Sequence, residues 1–221
     1  MDISGIITKT IADSPPDEKR RYIGASSIGN KCSRAIWYGY MGAESTQPPP
    51  SLKTTFDIGK RLEGMLLDYM EQAGLNIVRA NAHNKFLFVQ DKDVPLFQGH
   101  YDSLLLIPNE APMIVEIKTA NTASFSKFKT HGLKEWNETY YAQLQAYLGM
   151  SGYKRGVLLA IDKNTSELHH EWLDYDDIYY HELKMKALAI STSEEPPEKI
   201  NRNPIFYFCN NCKYRRTCHV D

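Results

Sequence analysis

A chain of 221 residues that is 42% apolar and carries a net charge of −1 is long enough to bury a sizeable core and ordinary in composition for a globular protein. The neutral balance excludes a uniformly basic nucleic-acid binder, so any such contact has to come from locally concentrated charge. No stretch approaches the roughly 18 apolar residues that span a bilayer, the N-terminus lacks the order of a secretory signal, and the four cysteines are therefore expected to be reduced, in an intracellular protein without a membrane partner.

Taken in order, residues 3–12 read as a short helix ended by Ser14, Pro15 and Pro16. Residues 26–42 read as one capped helix, with Ser26 or Ser27 as N-cap, Cys32 inside it and Gly42 just past its end. After a loop at Pro48, Pro49 and Pro50, apolar residues recur at helical spacing over 52–73, and Gly74 closes that helix. Segments 75–79 and 85–90 read as strands. They lead into two apolar runs, Leu104–Ile107 and Met113–Val115, joined by a Pro-Asn turn and expected to pair as buried strands. The polar, basic stretch 121–136 reads as a loop with a short helix and exposed aromatics. A helix is expected over 138–149, strands over 154–162 and 167–174, and a long helix over 176–192. Helices, then strands, a crossing helix and more strands argue an α/β chain around a mixed central sheet.

The second apolar run ends in Glu116-Ile117-Lys118, and Asp102 lies on the first strand. Alternate residues of a strand share a face, so Glu116 and Lys118 point one way and Ile117 the other. An ionised carboxylate beside a core is costly unless a cation compensates it, and a divalent metal is the natural compensator. Asp102, Glu116 and the Ile117 carbonyl could hold Mg2+ or Mn2+, with Glu63 as a further ligand, while Lys118 assists an attacking water or steadies the developing charge. That is the outline of phosphodiester hydrolysis. Gln143 and Tyr147 stand four apart on one helical face; the pair suits either a catalytic role or ordinary core packing.

Gly59-x-x-x-Glu63, Gly99-x-x-Asp102, Glu116-Ile117-Lys118 and Gln143-x-x-x-Tyr147, in that order, resemble the RecB-like branch of the PD-(D/E)XK nucleases. The resemblance runs from about Ser26 to the C-terminus. It implies a restriction-endonuclease-like core and a metal-dependent DNA nuclease, an exonuclease acting on single strands or frayed ends in phage or prokaryotic recombination, repair or processing. It also implies a location in the cytoplasm of a prokaryote or infected host cell. A DNA-binding assembly subunit with a vestigial site and a spacer-processing nuclease of CRISPR adaptation are the alternatives. The chain departs from many relatives in carrying Glu63 where they carry histidine.

Cys209-x-x-Cys212-x5-Cys218 and Cys32 supply four thiolates, suited to a [4Fe-4S] cluster or structural zinc; His219 could complete a Cys3His zinc site without Cys32. One N-terminal cysteine with a C-terminal C-x2-C-x5-C resembles the iron–sulfur members of the same nucleases, which implies a [4Fe-4S] subdomain built from 26–42 and 205–221 beside a nuclease core at 52–192. Together they make a single domain over 1–221. Basic residues gather at Lys19–Arg21 with Lys31 and Arg34, at Lys127, Lys129 and Lys134, and at Lys213, Arg215 and Arg216. Phe125, Phe128, Trp136, Tyr140 and Tyr141 interleave with the second group as in a groove where bases stack. Lys127, Lys129, Lys134, Arg34 and Arg215 are the expected DNA contacts. A separate helicase, recombinase or integrase is the expected protein partner, and an oligomer is possible on the same grounds.

Overall fold

The computed structural model describes residues 1–15, 20–79 and 87–219; Lys19 and the first two residues of the strand expected at 85–90 lie outside that description. Helix α1 (Ile3–Ala12) is capped by the Asp2 side chain, which accepts from the Gly5 amide. Strand β1 (Ile23–Gly24) runs directly into α2 (Ala25–Ile28). The single helix expected over 26–42 is in fact two: α2 ends at Gly29, and α3 (Ser33–Tyr40) begins after Cys32, its N-cap residue. Gly29 marks the break because α2 lies against a later helix here; a Cβ on it would come within 2.6 Å of the Thr139 Cα.

Helix α4 (Pro50–Gln72) opens with a proline at its first position, where the missing amide costs nothing, and Gly74 follows its end with a positive φ. Strands β2 (Ile77–Arg79), β3 (Phe88–Gln90), β4 (Phe97–His100), β5 (Ser103–Leu105) and β6 (Met113–Ala120) come next. In place of the loop with a short helix expected at 121–136 stands α5 (Thr122–Trp136), kinked at Gly132 (φ 77°). Its aromatics are core: Phe125 and Phe128 are buried, and Trp136 stacks on Phe128 at 4.6 Å. Then follow α6 (Glu138–Ser151), β7 (Arg155–Asp162), β8 (Leu168–Asp174), α7 (Asp177–Thr192) and two single turns, α8 (Tyr207–Asn210) and α9 (Arg215–Cys218).

The strands form a mixed five-stranded sheet, β2-β5-β6-β7-β8, and a three-stranded sheet, β1-β4-β3. In the larger sheet only β6 and β7 are parallel, as the crossover through α5 and α6 requires. On one face, Leu66 and Leu67 of α4 pack with Val115, Ile117, Val157 and Ile161. On the other, α5, α6 and α7 share a core with Ile114, Leu158 and Ala160. Helix α6 is buried on every side from Ala142 to Leu148, so its polar residues have to find partners inside the protein. Gln145 does so structurally, donating to the Asp174 carbonyl and accepting from the Asp176 amide.

Candidate active site

Strand β6 brings the site into the sheet. Glu116 is 1% exposed and Lys118 half-buried on the α6 side, whereas Ile117 joins the α4 side, the alternation the sequence predicts. Asp102 is not within a strand. It sits in the bend between β4 and β5, one residue before the pairing of Ser103 with Val115. There its Oδ2 accepts the Ile117 amide at 2.7 Å, which fixes the aspartate beside β6.

Glu116 Oε1 accepts from Lys118 Nζ at 2.5 Å and from Gln143 Nε2 at 2.8 Å. Gln143 Nε2 also reaches the Tyr147 hydroxyl at 2.9 Å, and that hydroxyl donates to the His100 carbonyl at 2.6 Å. The helical pair at 143 and 147 thus joins the floor of the site to the end of β4. Gly99 permits the approach: a Cβ there would lie 2.5 Å from the Tyr147 ring. Glu116 Oε2, by contrast, is buried and has no hydrogen-bond partner. An orphaned carboxylate oxygen in a dry place is the kind of atom that calls for a cation.

The electrostatics agree. Burial, followed by the charge of Asp102, pushes the Glu116 carboxyl up to about 8 against the pull of Lys118. Burial raises Asp102 as well, although Lys118 and the Ile117 amide oppose it. Glu63, half-buried on α4, is pushed up to about 7 by burial and then by Asp102. Burial disfavours the charged Lys118, but Glu116 and Asp102 outweigh it and hold the ammonium protonated. Asp102 raises both Glu116 and Glu63, and Lys118, with Lys60 at Glu63, only partly answers them. Among the described residues no three His, Cys, Asp or Glu side chains form a ready metal-ligand group. Asp102 and Glu116 are the close pair, and Glu63 feels them from α4. Two carboxylates, a free oxygen and backbone carbonyls are a donor set that fits Mg2+ or Mn2+.

Above the floor lies a cleft of about 220 Å³, walled by Arg20, Tyr22, Gly24, Ala25 and Ser26 on one side and by Gly99 and His100 on another. Sequence reasoning named Arg20 within a basic group but did not place it, or Tyr22–Ser26, at the site. Arg20 sits in a segment without periodicity, and the two-residue β1 that carries the wall to β4 is too short to show in a pattern.

The expected DNA contacts are dispersed. Lys127 is exposed on α5. Lys129 pairs with Glu167. Lys134 lies over the Tyr141 and Tyr179 rings, at 5.0 and 5.2 Å. Arg34 spends its guanidinium on the Pro196 and Pro197 carbonyls and the Tyr38 hydroxyl. Arg215 donates to Asn210.

The four cysteines are free thiols, with Cys209 buried and the others half-buried. The C-terminal turns dock near Cys32: the Thr46 amide donates to the Lys213 carbonyl, the Thr217 hydroxyl to the Glu44 carbonyl, and Tyr38 packs on Tyr214. Burial raises the Cys209 and Cys212 thiols, and the neighbouring Cys32 and Cys218 raise them further. The thiols thus lie near enough to influence one another, although they are not among any described group of three or more side chains placed to hold a metal.

A mixed sheet whose central strand carries Glu116 and Lys118, with Asp102 beside it and a Gln-Tyr helix beneath, defines a PD-(D/E)XK-type fold and site. The chain belongs to the YqaJ-like viral recombinase domain family, which matches residues 17–154. Among solved structures it is similar to the alkaline exonuclease LHK-Exo of Laribacter hongkongensis in complex with dAMP, at 15% identity and a TM-score of 0.59, over 78% of this chain and 87% of that one. It is also similar to a phage-related exonuclease from Haemophilus somnus 129PT, at 11% identity and a TM-score of 0.55, over 76% of this chain and 91% of that one. Likeness to SSO0001 extends over 97% of this chain and 95% of that one, at 15% identity and a TM-score of 0.53. A search of curated proteins finds no match. No helix among the described residues is long and apolar enough to cross a membrane.

Proposed function

We propose that this chain is a divalent-metal-dependent DNA exonuclease of phage or prokaryotic recombination, acting in the cytoplasm on single strands or frayed ends. The observation that carries the reading is Glu116 Oε2, buried and unpartnered beside Asp102 and the protonated Lys118. Asp102, Glu116 and the Ile117 carbonyl hold Mg2+ or Mn2+, with Glu63 as an outlying carboxylate. When bound, the metal polarises the phosphoryl oxygens and lowers the pKa of water. Lys118 presents a fixed positive charge to the oxygens on which negative charge develops. Gln143 holds the Glu116 carboxylate in place, and Tyr147, tied to the His100 carbonyl, holds Gln143. Arg20 at the rim suits a phosphate of the entering strand. Membership of a viral recombinase family favours recombination over CRISPR adaptation, and the exonuclease neighbours support hydrolysis from an end.

The test is degradation of end-labelled single- and double-stranded DNA with Mg2+ and Mn2+ compared. Asp102→Ala and Lys118→Ala are each expected to lower the rate at least about 10²–10³-fold, the loss typical of one preorganised charge-stabilising group. Wild-type rates in both variants overturn the assignment. Tight DNA binding without cleavage in Mn2+ favours an assembly subunit instead, one that serves a separate recombinase or helicase.

The cysteines carry a second element of the proposal. Cys32, Cys209, Cys212 and Cys218 hold a [4Fe-4S] cluster that staples 26–42 to 205–221, the two ends of one nuclease domain over 1–221. The support is the C-x2-C-x5-C spacing with Cys32, and the influence of Cys32 and Cys218 on the Cys209 and Cys212 thiols. Brown anaerobic protein with acid-labile sulfide is expected; colourless protein with stoichiometric zinc overturns the cluster.

A further inference from the structure

Between Lys199 and His219 the chain has five Lys or Arg residues and no Asp or Glu, in a protein whose total is −1. The same segment exposes large apolar side chains where a globular protein ordinarily hides them. Tyr207 is 72% and Phe208 39% exposed, and Ile205 is 69% exposed. Their rings are held as a set, with Phe208 5.4 Å from Tyr207 at 79° and 5.9 Å from Phe206 at 48°. In the same segment, a concavity of about 440 Å³ is lined by Pro204, Arg215, Arg216 and His219. Exposed rings in a segment whose charged side chains are all Lys or Arg match one class of ligand: a polyanion with stackable faces.

We propose that this aromatic and basic face of the C-terminal lobe is a second DNA-binding surface, which takes a single-stranded segment outside the cleft. Bases stack on Tyr207 and Phe208, and the adjoining phosphates lie toward Arg215 and Arg216. The surface deepens the exonuclease reading and rests on it for the identity of the strand. Its stacking chemistry is independent of sequence, because every base offers a π-face. It also accounts for the Ile205–Phe208 run, which neither the core nor the carboxylate site uses.

The experiment is fluorescence anisotropy of labelled oligothymidylate with the full chain carrying Asp102→Asn, so that binding is read without cleavage. Adding Tyr207→Ala with Phe208→Ala is expected to weaken binding by about tenfold or more. Tyr207→Trp with Phe208→Trp is expected to restore it. Arg216→Ala is expected to lower the salt dependence, with a slope smaller by about 0.7 for one lost phosphate contact. Unchanged affinity in the double alanine variant overturns the proposal, and so does absence of measurable binding. A protein that binds through Tyr207 and Phe208 yet degrades no DNA in the wild-type form leaves this surface standing and defeats the nuclease reading, so the two fail separately.

Discussion

The carboxylate cleft and the cysteine lobe are both places where like groups crowd together, yet the protein holds them in opposite ways. At the cleft the backbone does the holding. Glu116 and Lys118 are fixed by β6 where it pairs with β7, Asp102 by a main-chain amide, and Gln143 and Tyr147 by a helix buried all round. In the lobe, α8 and α9 are single turns. They meet the rest of the chain through the Thr46–Lys213 and Thr217–Glu44 hydrogen bonds and the Tyr38–Tyr214 contact. The difference separates two uses of a bound ion. On the proposed reading, a cation in the cleft would add function to a structure that stands without it, whereas a cluster on the thiols would add structure, since such binding energy is folding energy.

The sharpest way to break the comparison is to remove one thiol. With the proposed cluster in place, Cys209→Ser is expected to abolish it and to open 205–219 to proteolysis, while the circular dichroism of the sheet and α6 persists. A lobe as resistant as wild type would place its stability in the chain alone.

Next in size is Asp91, which anchors the cleft wall from behind. It accepts from the Tyr180 hydroxyl at 2.5 Å and from the Asp93 and Val94 amides, beside Lys184. Asp91→Ala strands these donors and is expected to cost about 3 kcal/mol by denaturant unfolding. Burial raises this carboxyl, but the hydrogen bonds and Lys184 outweigh it and hold it below its ordinary 3.8. A depressed folded pKa gives stability that is complete above the unfolded value and lost as the pH falls through the folded one. Wild type is therefore expected to lose stability below about pH 4 more steeply than Asp91→Asn. Parallel acid curves would remove Asp91 as the anchor.

Gln143→Leu keeps the volume and removes one of the two bonds to Glu116 Oε1. A partner that orients a metal ligand is worth roughly 10–100-fold, so the Mg2+ concentration for half-maximal cleavage is expected to rise by that factor with little change in melting temperature. The smallest effect has the opposite sign. Glu116→Gln removes one of the mutually repelling carboxylates and is expected to stabilise the metal-free protein by about 1 kcal/mol, the usual direction when an active-site strain is relieved. Thiol removal weakens the fold and carboxylate removal strengthens it; a destabilised Glu116→Gln would erase the contrast.

The parts legible in the sequence are those whose signal is local. The periodicity of α4, α6 and α7 and the runs of β7 and β8 give those elements within a residue or two, and the Glu-Ile-Lys spacing gives the floor of the site. What escaped depends on distant contacts. The break between α2 and α3 exists because Gly29 presses on α6. Helix α5 reads as loop because Phe125 and Phe128 stand among lysines, and only the β8 side of the fold shows that they are covered. The Arg20 wall is set by the parallel pairing of Ile23 with Phe97, which no pattern within either segment announces.

The lobe joins residues from the two ends of the chain, and this has a consequence in time. Residues 102–162, with β5 to β7 and the two helices α5 and α6 among them, carry Asp102, Glu116, Lys118 and Gln143 and can condense early because their contacts are nearer in sequence. Glu44 has to wait for Thr217, 173 positions later, and Tyr38 for Tyr214. The nascent protein thus passes through a stage with an assembled carboxylate floor and an open lobe, which the turns at 207–218 close last among the described elements.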